Sequence, residues 1–205
     1  GKSTLMNMFC DKLLTEGVND AQITHLNLED IDNEQFFDYK TLYSYIKGRQ
    51  QKGKMNYVFL DEIQMVGNFH KAIDSMQLLE NIDIYVTGSN AYLLSGEIAT
   101  LLSGRYVEIK MFPLSFREYM SVQPMNVSVE SAYRRYIEFG AFPYVTQLDS
   151  DRTLVQNYLS GLYNTIVLKD VIARSRISDV MMLESVVRFL ADNIGNISVT
   201  KRISD

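Results

Sequence analysis

The spacing of apolar and polar positions assigns most elements of the chain. Leu5, Met6, Phe9, Leu13 and Leu14 recur at helical spacing, so a helix opens the sequence. Gln22 to Leu28 alternates as a half-buried strand does, then gives way to the polar loop Glu29-Asp30-Ile31-Asp32-Asn33. Thr41, Leu42, Tyr45 and Ile46 restore the helical period. Tyr57-Val58-Phe59-Leu60 is a continuous run of strand formers, and a helix from about Asn68 to Leu79 follows, with Phe69, Ala72, Ile73, Met76 and Leu79 on one face. Two more strands are predicted, Ile82 to Val86 and Tyr106 to Lys110, the latter just before Phe112-Pro113. Strands that alternate with helices require parallel crossovers. The predicted fold class is therefore α/β, with a parallel sheet flanked by helices and ligands at the strand C-terminal ends.

The polar residues at those ends carry the candidate chemistry. Gly1-Lys2-Ser3-Thr4 is the last part of the phosphate-binding pattern G-x-x-x-x-G-K-[ST] and leads straight into the first helix. By itself it also suits a plain helix cap. Asp61-Glu62, delivered at the end of the strand Tyr57 to Leu60, changes that balance. A magnesium ion between two phosphates wants oxygen ligands, which the Ser3 hydroxyl and the Asp61 carboxylate can supply. Glu62, one residue further on, is placed to deprotonate an attacking water. Ser89 and Asn90 end the next strand and could contact that water or the γ-phosphate as a sensor, although Gly88-Ser89-Asn90 also suits an ordinary turn.

Composition removes several other classes. At 205 residues and 46% hydrophobic the chain can fill a core, and its net charge of −5 gives no global basic field. Cys10 is the single cysteine, so it closes no internal disulfide, and with only His25 and His70 no Cys/His zinc cluster forms. A soluble, cytoplasmic protein is expected, because no apolar run approaches a membrane span. The chain opens on Gly1, without the strand and first glycine that precede such a loop. It is expected to be part of a longer chain and poorly stable alone, since a missing central strand would leave sheet backbone unpaired.

The segments GKSTL, YVFLDEIQ, IYVTGSNAYLLS, LLSGRY, FPLSFREY and FGAFPYV, in this order, resemble the prokaryotic AAA-type P-loop ATPases of the archaeal-ATPase-like group. The resemblance covers essentially the whole chain. It implies a P-loop ATPase core, an α-helical lid, a winged-helix-like segment and a further C-terminal domain related to nucleases. Applied here, it divides the chain into a core at 1–111, a lid at 112–175 and the start of a winged-helix-like segment at 176–205. It also implies ATP and Mg²⁺ as ligands, held by Gly1, Lys2, Ser3 and Thr4, with Ser3 and Asp61 on the metal. Arg105 becomes a candidate arginine finger for a neighbouring subunit in a homo-oligomer. Pairing of Arg105 with Glu97 or Glu108 on the surface is an equal alternative. Pro143, in Gly140-Ala141-Phe142-Pro143, resembles the lid proline that backs the nucleotide, and a plain helix-ending turn competes with it.

Downstream residues say less. Leu154, Tyr158, Leu162, Ile166 and Val171 fit a helix, and Lys169, Asp170, Arg174 and Arg176 form its charged end, read as a solvated face before a DNA contact. Met181 to Ala191 and the residues to Ile203 resemble the first helices of a winged helix, through which DNA is a candidate partner. Phe116, Tyr119 and Phe112 are expected in packing, and Arg134 and Arg135 in solvent. Two function classes follow: an ATPase whose hydrolysis switches the lid and downstream domains, or a catalytically silent interaction or DNA-binding module. The set Lys2, Ser3, Asp61 and Glu62 favours the first. No N-K-x-D segment supports a GTPase, and Glu62 suits water activation better than transfer to a small molecule.

Overall fold

The computed structural model describes residues 1–88, 105–148, 151–166 and 179–196. They fall into two compact units, Gly1–Met111 and Phe112–Asp205. In the first, helix α1 (Lys2–Thr15) leads to strand β1 (Ile23–Asn27), helix α2 (Tyr39–Arg49), strand β2 (Asn56–Asp61), helix α3 (Phe69–Met76) and strand β3 (Ile82–Val86). The strands form a parallel sheet in the order β1-β2-β3. Ile23 pairs with Tyr57 and Asn27 with Asp61, while Asn56 pairs with Ile82 and Leu60 with Val86.

Strand alternation splits the core into two halves. Met6, Cys10 and Leu13 of α1 pack with Ile23 and Phe59 on one face of the sheet. Leu42 and Ile46 of α2 and Ala72, Ile73 and Met76 of α3 pack with Leu26, Val58 and Leu60 on the other. β2 is therefore buried on both faces, which is why it reads as a continuous apolar run. Phe59 stacks on Tyr85 at 4.9 Å and meets Phe9 edge-on at 5.9 Å, which fixes α1 against the middle of the sheet. α2 starts at Asp38, whose carboxylate accepts from the Thr41 backbone N–H and hydroxyl, each at 2.9 Å. Those two bonds hold its carboxyl below the usual range.

One predicted element is absent. Tyr106 to Lys110 forms no strand, and Val107 and Ile109 are 89% and 70% exposed. Its residues have strand propensity, but a strand exists only where a neighbouring edge accepts its backbone hydrogen bonds, and none of the three described strands does so. α3 also stops at Met76, short of the predicted Leu79, as Gln77 to Leu79 close into turns.

The described residues of the second unit form helices and turns. Helices α4 (Phe116–Ser121) and α5 (Val129–Phe139) share an aromatic cluster in which Phe116 meets Tyr133 at 5.2 Å and Tyr136 at 5.4 Å. Tyr119 is buried in it, as expected, whereas Phe112 is 81% exposed. Arg134 is exposed and Arg135 is half-buried rather than solvated. Phe139, Val145 and Val155 form a small core with helix α6 (Arg152–Asn164). Helix α7 (Val180–Asp192) covers the predicted Met181 to Ala191, while Lys169 to Arg176 and residues 197–205 lie outside the described residues. No helix among the described residues is long and apolar enough to cross a membrane.

Candidate active site

Gly1 is the residue before the first turn of α1, so the helix opens on the phosphate-binding pattern itself. The Gly1 nitrogen donates to Thr4 Oγ1 at 3.0 Å, which commits the Thr4 hydroxyl to the start of the helix. Ser3 is exposed on the same turn. The first amides of a helix lack internal partners and point outward as donors, a natural seat for phosphate oxygens. The Lys2 ammonium donates to the carbonyl oxygen of buried Gly88, just beyond β3. A neutral carbonyl leaves that charge without an anion among the described residues.

Asp61 and Glu62 sit at the end of β2. Asp61 is 3% exposed, and the Thr87 hydroxyl donates to its Oδ1. Thr87 binds four consecutive residues of the neighbouring strand end. Its N–H donates to the Leu60 carbonyl at 2.9 Å and its hydroxyl reaches Asp61. That hydroxyl also accepts from the Glu62 N–H at 3.3 Å, and its carbonyl accepts from the Ile63 N–H at 2.9 Å. Glu62 adopts a left-handed backbone, φ 57° and ψ 50°, which a residue with a Cβ visits rarely and at a cost. The hydrogen bonds from Thr87 bracket that kink. The Gln64 side-chain amide donates to Glu62 Oε2 at 2.5 Å, so the carboxylate is oriented from its other side as well.

The structure thus gathers Lys2, Asp61 and Glu62 around the dipeptide Thr87-Gly88. The residue types fit magnesium and a nucleotide: a buried carboxylate with one oxygen fixed by a hydroxyl, an exposed serine at the helix start, and an ammonium with no anionic partner among the described residues. No group of three or more His, Cys, Asp or Glu side chains suited to hold a metal by themselves occurs among the described residues. That is the ordinary condition for magnesium, which takes few protein ligands and completes its shell with phosphate and water.

Thr87 and Gln64 were missed as site residues by sequence reasoning. In Thr87-Gly88-Ser89-Asn90 a threonine before a glycine looks like part of a turn, and only its place opposite Asp61 reveals its use. The predicted sensors Ser89 and Asn90 lie outside the described residues. Arg105 is exposed, and its carbonyl accepts from the Gln77 side chain at 3.2 Å. Glu108, one alternative partner for it, pairs instead with Lys110 at 3.8 Å, and Glu97 lies outside the described residues. Pro143 opens the short 3-10 turn Pro143–Gln147 in the second unit, after Gly140 ends α5 at φ 77°.

Comparisons with known proteins bear on this arrangement. Residues 1–120 match the family model described as an AAA domain, and residues 130–205 match a domain of unknown function, DUF8612. An uncharacterized protein of Haemophilus influenzae is 39% identical over 209 residues, covering 100% of this chain and 52% of that protein. An uncharacterized protein of Methanocaldococcus jannaschii is 30% identical over 161 residues, covering 72% of this chain and 35% of its own length. The chain thus spans about half or less of the length of these relatives. No solved structure matches.

Proposed function

Because the chain belongs to the AAA-domain family of P-loop NTPase-like proteins, we propose that it binds Mg-ATP at the α1 start and hydrolyses it to ADP and phosphate. The observation that carries this reading is the convergence of Lys2, Asp61 and Glu62 on Thr87-Gly88. The α1 amides and Lys2 bind the phosphates, with Lys2 moving from the Gly88 carbonyl to a phosphate oxygen. Ser3 and Asp61 would hold a magnesium ion, which would supply positive charge to offset that of the phosphates. Glu62 takes the proton of a water that attacks the γ-phosphorus as the bond to the bridging oxygen breaks. Thr87 keeps Asp61 and Glu62 aimed. Arg105 serves a neighbouring subunit's γ-phosphate, and turnover moves the helical lid and the parts of the protein downstream.

Isothermal titration of the full-length protein tests the binding half. Lys2→Ala should lose most of its ATP affinity, because one charge-assisted phosphate contact disappears from a partly buried site. Equal affinity in both proteins would remove Lys2 from the site.

A separate expectation concerns Thr87. Thr87→Val keeps the shape but leaves a buried carboxylate oxygen without its donor, at about 1–3 kcal/mol in stability. With Glu62 less well aimed, turnover should fall about 10- to 100-fold while ATP affinity changes little. Thr87→Ser should recover most of the rate. Steady-state kinetics of the two variants decide it, and wild-type turnover in Thr87→Val would leave Thr87 with a structural role alone.

A further inference from the structure

Away from this site, residues 39–60 hold Lys40, Lys47, Arg49, Lys52 and Lys54 and no Asp or Glu, in a chain whose net charge is −5. All five cations are exposed. The ion pairs found among the described residues, Lys12–Glu16, Lys110–Glu108 and Arg152–Glu138, use none of them. Three of the five are held instead against aromatic rings. Lys40 lies 5.9 Å from the Tyr39 ring centroid, Lys47 5.6 Å from Tyr43, and Arg49 5.8 Å from Tyr45. Lys71 of α3 adds a sixth cation, 5.6 Å from Tyr39. Every cation–π contact among the described residues therefore uses a tyrosine of α2. Each ring holds a long side chain near the surface, which reduces the rotamer freedom lost when an anion binds.

The loop after α2 is also ordered. Buried Asn56 accepts from the Gln51 N–H at 2.8 Å through Oδ1. Its amide donates to the carbonyls of Gln51 at 3.1 Å and Lys54 at 2.8 Å. Gly53 supplies the left-handed turn, φ 73°, between Lys52 and Lys54. Lys40 and Lys47 stand two helical turns apart on one face, about 10 Å along the axis, Arg49 faces the other side of the helix, and Lys52 and Lys54 follow in the loop. A cavity of about 290 Å³ opens between Arg49 and β1, lined by Asp20, Ile23, Thr24, His25, Tyr45 and Arg49. Asp20 is its one carboxylate.

We propose that α2 and the loop through Lys54 form a docking surface for the sugar–phosphate backbone of nucleic acid. Five exposed cations, three of them held against tyrosine rings, outnumber the neighbouring carboxylates of Asp38 at the helix cap and Asp20 in the cavity, and complement a polymer with a negative charge at every residue. An acidic protein segment presents its charge less regularly. Recognition of this kind is independent of base sequence and released by salt. Its cations stand on elements other than those that carry Lys2, Asp61 and Glu62, so either assignment can fail alone.

The experiment is fluorescence anisotropy of the full-length protein with labelled single-stranded and duplex oligonucleotides across a salt series. The comparison is K47A/R49A/K52A/K54A, with the charge at all four positions kept in K47R/K52R/K54R. The alanine variant should bind at least about tenfold more weakly at low salt, and its log–log salt slope should be shallower by about 3 on single strands. The arginine variant should bind as wild type. ATP affinity should be the same in all three. Protection of Lys47, Lys52 and Lys54 from acetylation by bound DNA, measured on wild type, reads the same contact without any variant. Unchanged affinity and slope in the alanine variant, absence of protection, or tighter binding of polyglutamate than of DNA at equal charge would each overturn the proposal.

Discussion

Glu62→Gln in the full-length protein is expected to bind ATP as wild type does and to hydrolyse it about 10²- to 10⁴-fold more slowly, the usual contribution of a positioned base. The substitution is nearly isosteric. Its amide still occupies the left-handed position at the end of β2 and still faces Gln64, so the backbone hydrogen bonds to Thr87 survive. What disappears is the capacity to accept a proton from water. Asp61→Asn separates the two carboxylates, because it should weaken the magnesium-dependent part of binding instead. Single-turnover hydrolysis with titrated nucleotide measures both, and wild-type hydrolysis by Glu62→Gln would end the assignment of Glu62 as base.

The largest effect is expected at Arg105. An arginine supplied across a subunit boundary raises phosphoryl-transfer turnover by about 10³ to 10⁵, since its guanidinium offsets charge that develops in the transition state. Arg105 is exposed, and Glu108, the nearby candidate partner in sequence, is engaged by Lys110. Arg105→Ala should therefore cost turnover far more than nucleotide affinity. Mixing it with Glu62→Gln should restore part of the activity, because each variant lacks a different half of a shared site. A surface role predicts the opposite: little loss, no complementation, and activity independent of protein concentration. Turnover of Arg105→Ala within about twofold of wild type over a wide dilution series would leave the shared site without support.

The local pattern carried much of the fold. The helix after Gly1-Lys2-Ser3-Thr4, the buried run ending in Asp61-Glu62, and the parallel order of strands and helices were all legible, because periodicity and turn chemistry are properties of neighbouring residues. Tyr106 to Lys110 shows where that logic stops. Its propensity is that of a strand, yet pairing is a property of two segments and its residues remain outside the sheet.

The same division runs through the site. Lys2, Ser3, Asp61 and Glu62 were legible as candidates from residue type and position, since phosphate and magnesium chemistry would demand such residues at a helix start and a strand end. Thr87 was not. Its position comes from the parallel register that sets Leu60 beside Val86, so that the residue after β3 arrives opposite Asp61 and can bond four successive positions of the other chain segment. Nor could sequence show that Asn56 organises the basic loop or that three tyrosines of α2 hold its cations. The sequence by itself determined which groups this protein has and on which elements they stand. Tertiary structure decided which buried polar atoms meet, because a hydrogen bond between strands depends on register and sheet order, and neither is written in any one local stretch.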